Sequence, residues 1–498
     1  MICVSIGRTR HKMMMAEHQA LAERGAELVE LRLDWLAGSP DLGRLLASRP
    51  TPVVITCRRE SDKGKWKGNE EQRQALLRAA IVAGADYVDI EDDVAPFIRR
   101  YGPTKRIISH HDFEETPENL EEIHKKMVGL DPDIIKIVTM ANSPSDSIRM
   151  LKLVSKAKVP TIGFCMGELG TFSRILTGKY GAPFTYATFS KDRELAPGQL
   201  SFDDMVKIYR YDEISPTTKV FGVIGDPIGH SLSPLIHNWA YRELKLNCVY
   251  IPFRIPRDRL HETLDEFRWL DVKGYSVTIP HKEAVMERVQ YFDGPVPLIG
   301  AANTLFQNQE GRWIASNSDY LAALTSMRMG LTNGQADYAG DPLSGKRVLV
   351  LGAGGVARAI AMGLSQAGAL LTVTNRTHAR AVALAEHLGC QHVSWENRGA
   401  VPSDILVNCT SLGMHPKVDE SPFPENWLHD DMLVFDTVYN PEQTLLIKNA
   451  RQRNCKVVTG VEMFVRQAAV QFEKFTNEEA PLEIMRDALR RGISAVGY

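Results

Sequence analysis

Short apolar runs recur through the first 212 residues, at 2–6, 27–33, 52–57, 86–90, 106–110, 133–139, 159–165 and 184–189, with amphipathic stretches between them. The runs have strand length and the stretches have helix length. Repeated that many times, the pattern predicts an α/β protein whose N-terminal part is a (β/α)8 barrel. Chemistry in such barrels sits at the C-terminal strand ends. Glu30, Arg32, Arg58, His111 and Lys136 fall at or near those ends.

The pattern changes after residue 212. Residues 210–219 are polar and contain a proline, and 213–219 reads as a linker. A fresh strand, Val220-Phe221-Gly222-Val223-Ile224-Gly225, opens a second α/β unit, and a soft stretch at 332–345 divides it. Beyond that lies Lys346-Arg347-Val348-Leu349-Val350-Leu351, then the turn Gly352-Ala353-Gly354-Gly355-Val356-Ala357 and an alanine-rich helix. Strand, glycine turn and helix together are the context in which backbone N–H groups cradle a dinucleotide pyrophosphate. The expected organisation is a barrel at 1–212, a substrate lobe built from 220–335 and 460–498, and a Rossmann-like lobe at 336–459.

Composition narrows the picture. At 498 residues the chain exceeds one ordinary core, and 44% hydrophobic with 24% charged residues describes a globular protein. Lys plus Arg (59) nearly balance Asp plus Glu (61), so no global field draws nucleic acid or an anionic membrane. The seven cysteines are scattered without a C-x-x-C, which fits reduced thiols better than a disulfide frame or a zinc site. No apolar run reaches about 18 residues, and no signal or transit pattern opens the chain. A cytoplasmic enzyme acting on small molecules, without a metal, is the expectation.

Lys136 sits in Asp133-Ile134-Ile135-Lys136-Ile137-Val138. Burial there disfavours the ammonium form and favours a free amine able to attack a carbonyl; the plainer alternative is a lysine paired with a carboxylate. With a histidine nearby, such a lysine can run imine chemistry, because that mechanism needs a covalent amine and a proton shuttle. The runs Ser109-His110-His111-Asp112-Phe113 with Thr116-Pro117, Ile135-Lys136-Ile137, Ser173-Arg174 and Ala196-Pro197-Gly198-Gln199 resemble the type I 3-dehydroquinate dehydratases. So do Val29-Glu30-Leu31-Arg32-Leu33-Asp34 and Thr56-Cys57-Arg58. The resemblance implies that Lys136 forms the Schiff base and that His111 moves the proton. It also implies that Arg174, Arg58 and Gln199 hold the substrate, with Glu30, Arg32 and Ser5 around the pocket. Asp62 stands where that family usually has a glutamate partner for the histidine, and Leu195 where a small hydroxyl residue is usual.

In the second half, the strand after the glycine turn ends in Asn375-Arg376-Thr377, where an NAD site usually has an acidic residue. An arginine there suits a 2′-phosphate, so NADP is the expected cofactor, with Arg380 as a possible helper. Four further runs are similar to shikimate dehydrogenase: Gly225-Asp226-Pro227-Ile228-Gly229-His230-Ser231-Leu232-Ser233-Pro234, Val277-Thr278-Ile279-Pro280-His281-Lys282, Gly300-Ala301-Ala302-Asn303-Thr304 and Asn317-Ser318-Asp319. Asn408-Cys409-Thr410-Ser411-Leu412-Gly413-Met414 and Gly460-Val461-Glu462-Met463 before Gln467 extend the likeness. It implies that Ser231 and Ser233 bind a carboxylate, that Asn303, Asp319 and Gln467 hold ring hydroxyls near Tyr439, and that Lys282 with Asp319 transfers a proton. The cofactor would touch Gly352, Gly354, Gly355, Val356, Ala357, Asn375, Arg376, Thr377, Thr410, Gly413, Met414 and Gly460. Tyr320 and Phe464 are bulkier than the residues usual in that family.

The chain therefore reads as two enzymes in series, the first making what the second reduces. An NAD-preferring quinate/shikimate dehydrogenase fusion and a non-catalytic metabolite sensor are the rival readings.

Overall fold

A computed structural model describes residues 1–193, 195–333 and 340–493. The expected lobe boundary at 335/336 lies outside them, as does the tail beyond 493. Two compact units emerge. One comprises Met1–Gly222, Pro227–Gly229 and Asn247–Val272; the other takes Val223–Asp226, His230–Leu246 and Lys273–Tyr498.

The first unit is built on eight parallel strands: β1 Ile2–Ile6, β2 Leu28–Arg32, β3 Val53–Thr56, β4 Tyr87–Glu91, β5 Lys105–Asp112, β6 Ile134–Met140, β7 Thr161–Met166 and β8 Thr185–Thr188. They follow the order β7-β6-β5-β4-β3-β2-β1-β8, a nearly closed barrel. Apolar side chains line both sides of the wall: Ile134, Ile135, Ile137 and Val138 of β6 are all buried. Two-sided burial is why these strands read as continuous apolar runs rather than alternating ones. Local signals set the helix starts. Asn69 and Gln72 form a reciprocal capping box for helix Glu70–Val82, and Ser143, Pro144 and Asp146 open helix Pro144–Lys156.

Segment 247–272 packs with this barrel. The reason is aromatic: Phe253 and Phe267 meet the buried Phe172 at 5.2 and 5.4 Å between ring centroids, and Trp269 stacks on Tyr180 at 4.6 Å. Large rings of this kind dominate local packing energy, so the segment follows them.

Two six-stranded sheets complete the chain. The first runs β10-β9-β11-β13-β14-β12, with β9 Lys219–Gly225, β10 Cys248–Arg254, β11 Val272–Val277, β12 Tyr291–Phe292, β13 Thr304–Gln307 and β14 Trp313–Ser316. The second is parallel, in the order β17-β16-β15-β18-β19-β20, with β15 Arg347–Leu351, β16 Leu370–Thr374, β17 Gln391–His392, β18 Ile405–Asn408, β19 Leu433–Asp436 and β20 Lys456–Val458. That is the doubly wound dinucleotide-fold order, reversing between β15 and β18. Its core joins Val348, Val350, Ile360, Leu364, Val407 and Phe435. Among the described residues no helix is long and apolar enough to cross a membrane.

Candidate active sites

Barrel register decides what meets at the first site. Ser5 pairs with Glu30 across β1–β2, Glu91 with Ser109 across β4–β5, and Ser109 with Lys136 across β5–β6. A pocket at the C-terminal strand ends is lined by Ser5, Glu30, Arg32, Arg58, Asp62, His111, Lys136, Arg174 and Gln199. Every barrel residue proposed from sequence therefore shares one cavity, and Leu195 lines it as well.

Lys136 is buried, with Nζ 3.0 Å from Asp89 Oδ2, 3.9 Å from Glu30 Oε1 and 4.0 Å from the Tyr186 ring centroid. The lysine faces the pocket and is paired with a carboxylate, the plainer of the two descriptions. Glu30 accepts from Ser5 Oγ at 2.5 Å and Thr56 Oγ1 at 2.7 Å, which fixes its orientation.

The adjacent histidines live in opposite environments. Burial, then the positive charges of Arg58 and Lys136, hold His111 well below the ordinary imidazole range. A neutral imidazole is the form that accepts a proton. His110 points to Asp92 at 2.9 Å, and that hydrogen bond raises it. His111 also stacks on Phe113, with centroids 5.9 Å apart.

Several expected substrate contacts are partly engaged by protein. Arg58 binds Asp89 at 2.8 Å, Glu91 at 2.6 Å and Ser109 at 3.1 Å, while Arg32 clamps Asp34 bidentately. Arg174 lies over the Phe164 ring at 4.5 Å and donates to Pro197 O, and Gln199 Oε1 accepts the Leu195 and Ala196 amides. Asp62 lines the pocket but bonds Arg59, and among the described residues no hydrogen bond joins it to His111. Arg59 in turn grips Asp93. The loop thus serves itself, because a carboxylate this short reaches its own sequence neighbour first.

Sequence reasoning missed Asp89, Glu91, Ser109 and Lys63. A signal for the first pair was present: Asp89 and Glu91 are alternate carboxylates inside an otherwise apolar strand. Buried charges of that kind need partners.

In the second half, Lys282 Nζ lies 2.6 Å from Asp319 Oδ2. Asp319 sits in the first turn of helix Ser318–Thr332, where Asn317 Oδ1 accepts its amide at 3.0 Å. Asn303 is buried beside it, its Oδ1 accepting Ser318 N at 2.8 Å and its Nδ2 donating to Ser318 Oγ at 3.0 Å. Ser231 Oγ accepts Ser233 N at 3.3 Å at the start of helix Ser233–Glu243, a local capping contact at a helix end suited to an anion. Gln467 Nε2 donates to Phe464 O, and Phe464 packs on Tyr439 with centroids 4.4 Å apart. Tyr320 instead packs with the core around Ile299, Ala301 and Ala359.

The glycine turn fits a dinucleotide. Gly352 has φ +117°, which a side chain rarely adopts, and Gly354 precedes helix Gly355–Gln366 with no side-chain cap. A Cβ at Gly354 or Gly355 would meet nothing within 4 Å, so the helix N-terminus is open to a phosphate. Arg376 is exposed beyond β16 and, among the described residues, bonds no protein group, while Asn375 Nδ2 ties that turn to Thr377 O at 2.9 Å. Thr410 and Leu412 are held by Asn408, which donates to Asp436 Oδ1 at 2.9 Å; burial pushes Asp436 up to about 6. Thr444 Cβ would lie 3.2 Å from a Cβ at Gly413, Met414 is 42% exposed, and Gly460 starts helix Gly460–Thr476 against Val438 O.

A barrel with a buried lysine–histidine pocket, joined to a doubly wound sheet with an open glycine turn, is the architecture of two enzymes on one chain. Residues 2–216 match the family Type I 3-dehydroquinase, 223–305 the Shikimate dehydrogenase substrate binding domain, 335–418 Shikimate / quinate 5-dehydrogenase and 460–490 the Shikimate 5'-dehydrogenase C-terminal domain. The chloroplastic bifunctional 3-dehydroquinate dehydratase/shikimate dehydrogenase of Arabidopsis thaliana is 38% identical over 97% of this chain and 83% of its own length. Shikimate dehydrogenase (NADP(+)) of Methanothermobacter thermautotrophicus is 38% identical over 56% of this chain and 98% of its own. A crystal structure of a shikimate dehydrogenase in complex with NADP+ matches with TM-score 0.52 and 33% identity, covering 56% of this chain and 97% of that one. The chain belongs to the bifunctional 3-dehydroquinate dehydratase/shikimate dehydrogenase family.

Proposed function

We infer that the barrel dehydrates 3-dehydroquinate to 3-dehydroshikimate and that the second half reduces this product to shikimate with NADPH. The observation that carries the reading is the meeting of Lys136 and His111 in one pocket with Arg174 and Gln199.

Lys136 attacks the ketone and forms an imine, which acidifies the adjacent carbon. Neutral His111 takes that proton and later returns one to the departing hydroxyl, as a poised base and acid. Arg174 and Gln199 hold the carboxylate and hydroxyls, while Glu30, Ser5, Arg32 and Arg58 keep the pocket polar and rigid. Asp62 acts through its loop rather than through the histidine.

Bound NADPH supplies a hydride to the carbonyl carbon. Lys282 protonates the alkoxide that develops there, and Asp319 keeps its ammonium in place at 2.6 Å. Ser231 and Ser233 receive the substrate carboxylate at their helix end, and Asn303, Gln467 and Tyr439 contact the ring. Arg376 selects the 2′-phosphate, supported by its exposure and by the lack of an acidic neighbour in Asn375-Arg376-Thr377. The lobes are 220–335 with 460–498 for substrate and 336–459 for cofactor. Seven free cysteines favour a reducing compartment such as the cytoplasm.

The deciding experiment incubates the full chain with 3-dehydroquinate and NADPH and identifies the product. Shikimate supports both activities; accumulation of 3-dehydroshikimate removes the second, and unchanged 3-dehydroquinate removes the first.

A further inference from the structure

Behind the pocket lysine runs an unbroken chain of buried charges, of which Asp89, Glu91 and Arg73 are left without a task by the reactions above. Lys136 Nζ donates to Asp89 Oδ2 at 3.0 Å. Asp89 Oδ1 accepts from Arg58 Nη2 at 2.8 Å and from Ser109 Oγ at 2.6 Å. Arg58 Nη1 reaches Glu91 Oε1 at 2.6 Å, and Glu91 Oε2 accepts Arg73 Nη1 at 2.8 Å. Arg73 projects from helix Glu70–Val82 and is fully buried, with Glu70 at 2.8 Å and the Cys57 carbonyl at 2.7 Å completing its partners. The Asp89 side chain has 0% exposure. Glu30 lies farther from the lysine, at 3.9 Å, and is committed to Ser5 and Thr56.

We propose that Asp89 is the counter-ion of the Lys136 nitrogen both as ammonium and as protonated imine, held in place by the Arg58–Glu91–Arg73 chain. This rests on the imine reading. In that step an ammonium and a ketone give a protonated imine and water. The C–N bond forms, the C–O bond breaks, and two of the three ammonium protons leave with the oxygen. One positive charge remains on nitrogen. Asp89 therefore faces a single cation before and after, and no uncompensated buried charge arises, which would be costly. Hydrolysis of the product imine reverses the balance. Burial pushes Asp89 upward, but Arg58 and Lys136 outweigh it and keep the carboxylate ionised. It stays a fixed anion, and the moving proton belongs to His111. The anchors act at a distance: Arg73 touches no substrate and is a positioning residue.

The test uses the full chain as wild type, D89N, D89E, S109A, R73K and R73M. Dehydration kinetics, and the mass added by borohydride in the presence of 3-dehydroquinate, are measured on each. D89N is expected to lose at least about 100-fold in kcat with KM within about 3-fold, and to trap a smaller fraction of imine. D89E recovers part of both. R73M loses about 10-fold in kcat, R73K less, and S109A falls in the same direction. Wild-type kcat and full trapping in both D89N and S109A overturn the proposal, and S109A alone decides if D89N does not fold. A wild type that takes up no label overturns the imine reading itself, whereas a labelled wild type with an indifferent D89N overturns only the counter-ion.

Discussion

Arg376→Ala isolates the cofactor preference, because Arg376 has nothing else to do. It is exposed beyond β16 and, among the described residues, hydrogen-bonds no protein group, so truncation orphans nothing and stability should stay within about 0.5 kcal/mol. The Asn375–Thr377 bond at 2.9 Å keeps the turn in shape without it. A hydrogen bond to a charged group is worth about 1.5–3 kcal/mol, and exposure places this one toward the low end, near about 2 kcal/mol. That corresponds to a loss of about 10- to 30-fold in kcat/KM for NADPH. NADH lacks the 2′-phosphate, and its kcat/KM should remain within about 2-fold. The assay is initial-rate reduction of 3-dehydroshikimate with each cofactor, alongside a urea midpoint. Equal losses for both cofactors would show that Arg376 shapes the turn. No loss for either, together with a wild-type preference for NADH, would refute the assignment of the 2′-phosphate and favour the NAD-using alternative.

Lys282→Met removes the proton donor 2.6 Å from Asp319 and should lower dehydrogenase kcat by about 10²- to 10⁴-fold while dehydration, assayed on the same sample, is unchanged. His237 is fully buried, and burial alone lowers it to about 3 from its ordinary value of 6.5. The unfolded chain binds that proton first as pH falls, so this group's contribution to stability is complete above 6.5 and is lost downward from there, by about 2 kcal/mol at pH 5. His237→Phe should flatten the acid dependence of the urea midpoint, and an unchanged slope would contradict the assignment. Lys63 lines the barrel pocket with φ +57°. Lys63→Gly should fold with stability within about 1 kcal/mol of wild type, yet raise KM for the anionic substrate and weaken the salt dependence of kcat/KM.

What the linear order of residues determined was whatever is encoded locally. Strand runs between helix-length stretches placed all eight barrel strands, because two-sided burial writes a continuous apolar signature. The turn Gly352-Ala353-Gly354-Gly355 between strand and helix announced the dinucleotide fold, and φ +117° at Gly352 is a backbone conformation that favours glycine. Lys136 stood out as a lysine in an apolar strand with a histidine nearby, and Lys282 with Asp319 were legible through the likeness to shikimate dehydrogenase. Tertiary structure decided everything that depends on partners far apart in the chain. Asp89 meets Lys136 across 47 residues and Arg58 across 31, and only barrel register brings them within hydrogen-bond reach. It also separated two adjacent histidines, giving His110 a carboxylate and His111 a cationic, buried pocket, because neighbouring strand residues point to opposite faces. Residues 247–272 joined the barrel through Phe253, Phe267 and Trp269, whose ring partners are contributed by distant helical turns. Hydrophobic period is a property of neighbours along the chain, whereas charge compensation is a property of neighbours in space.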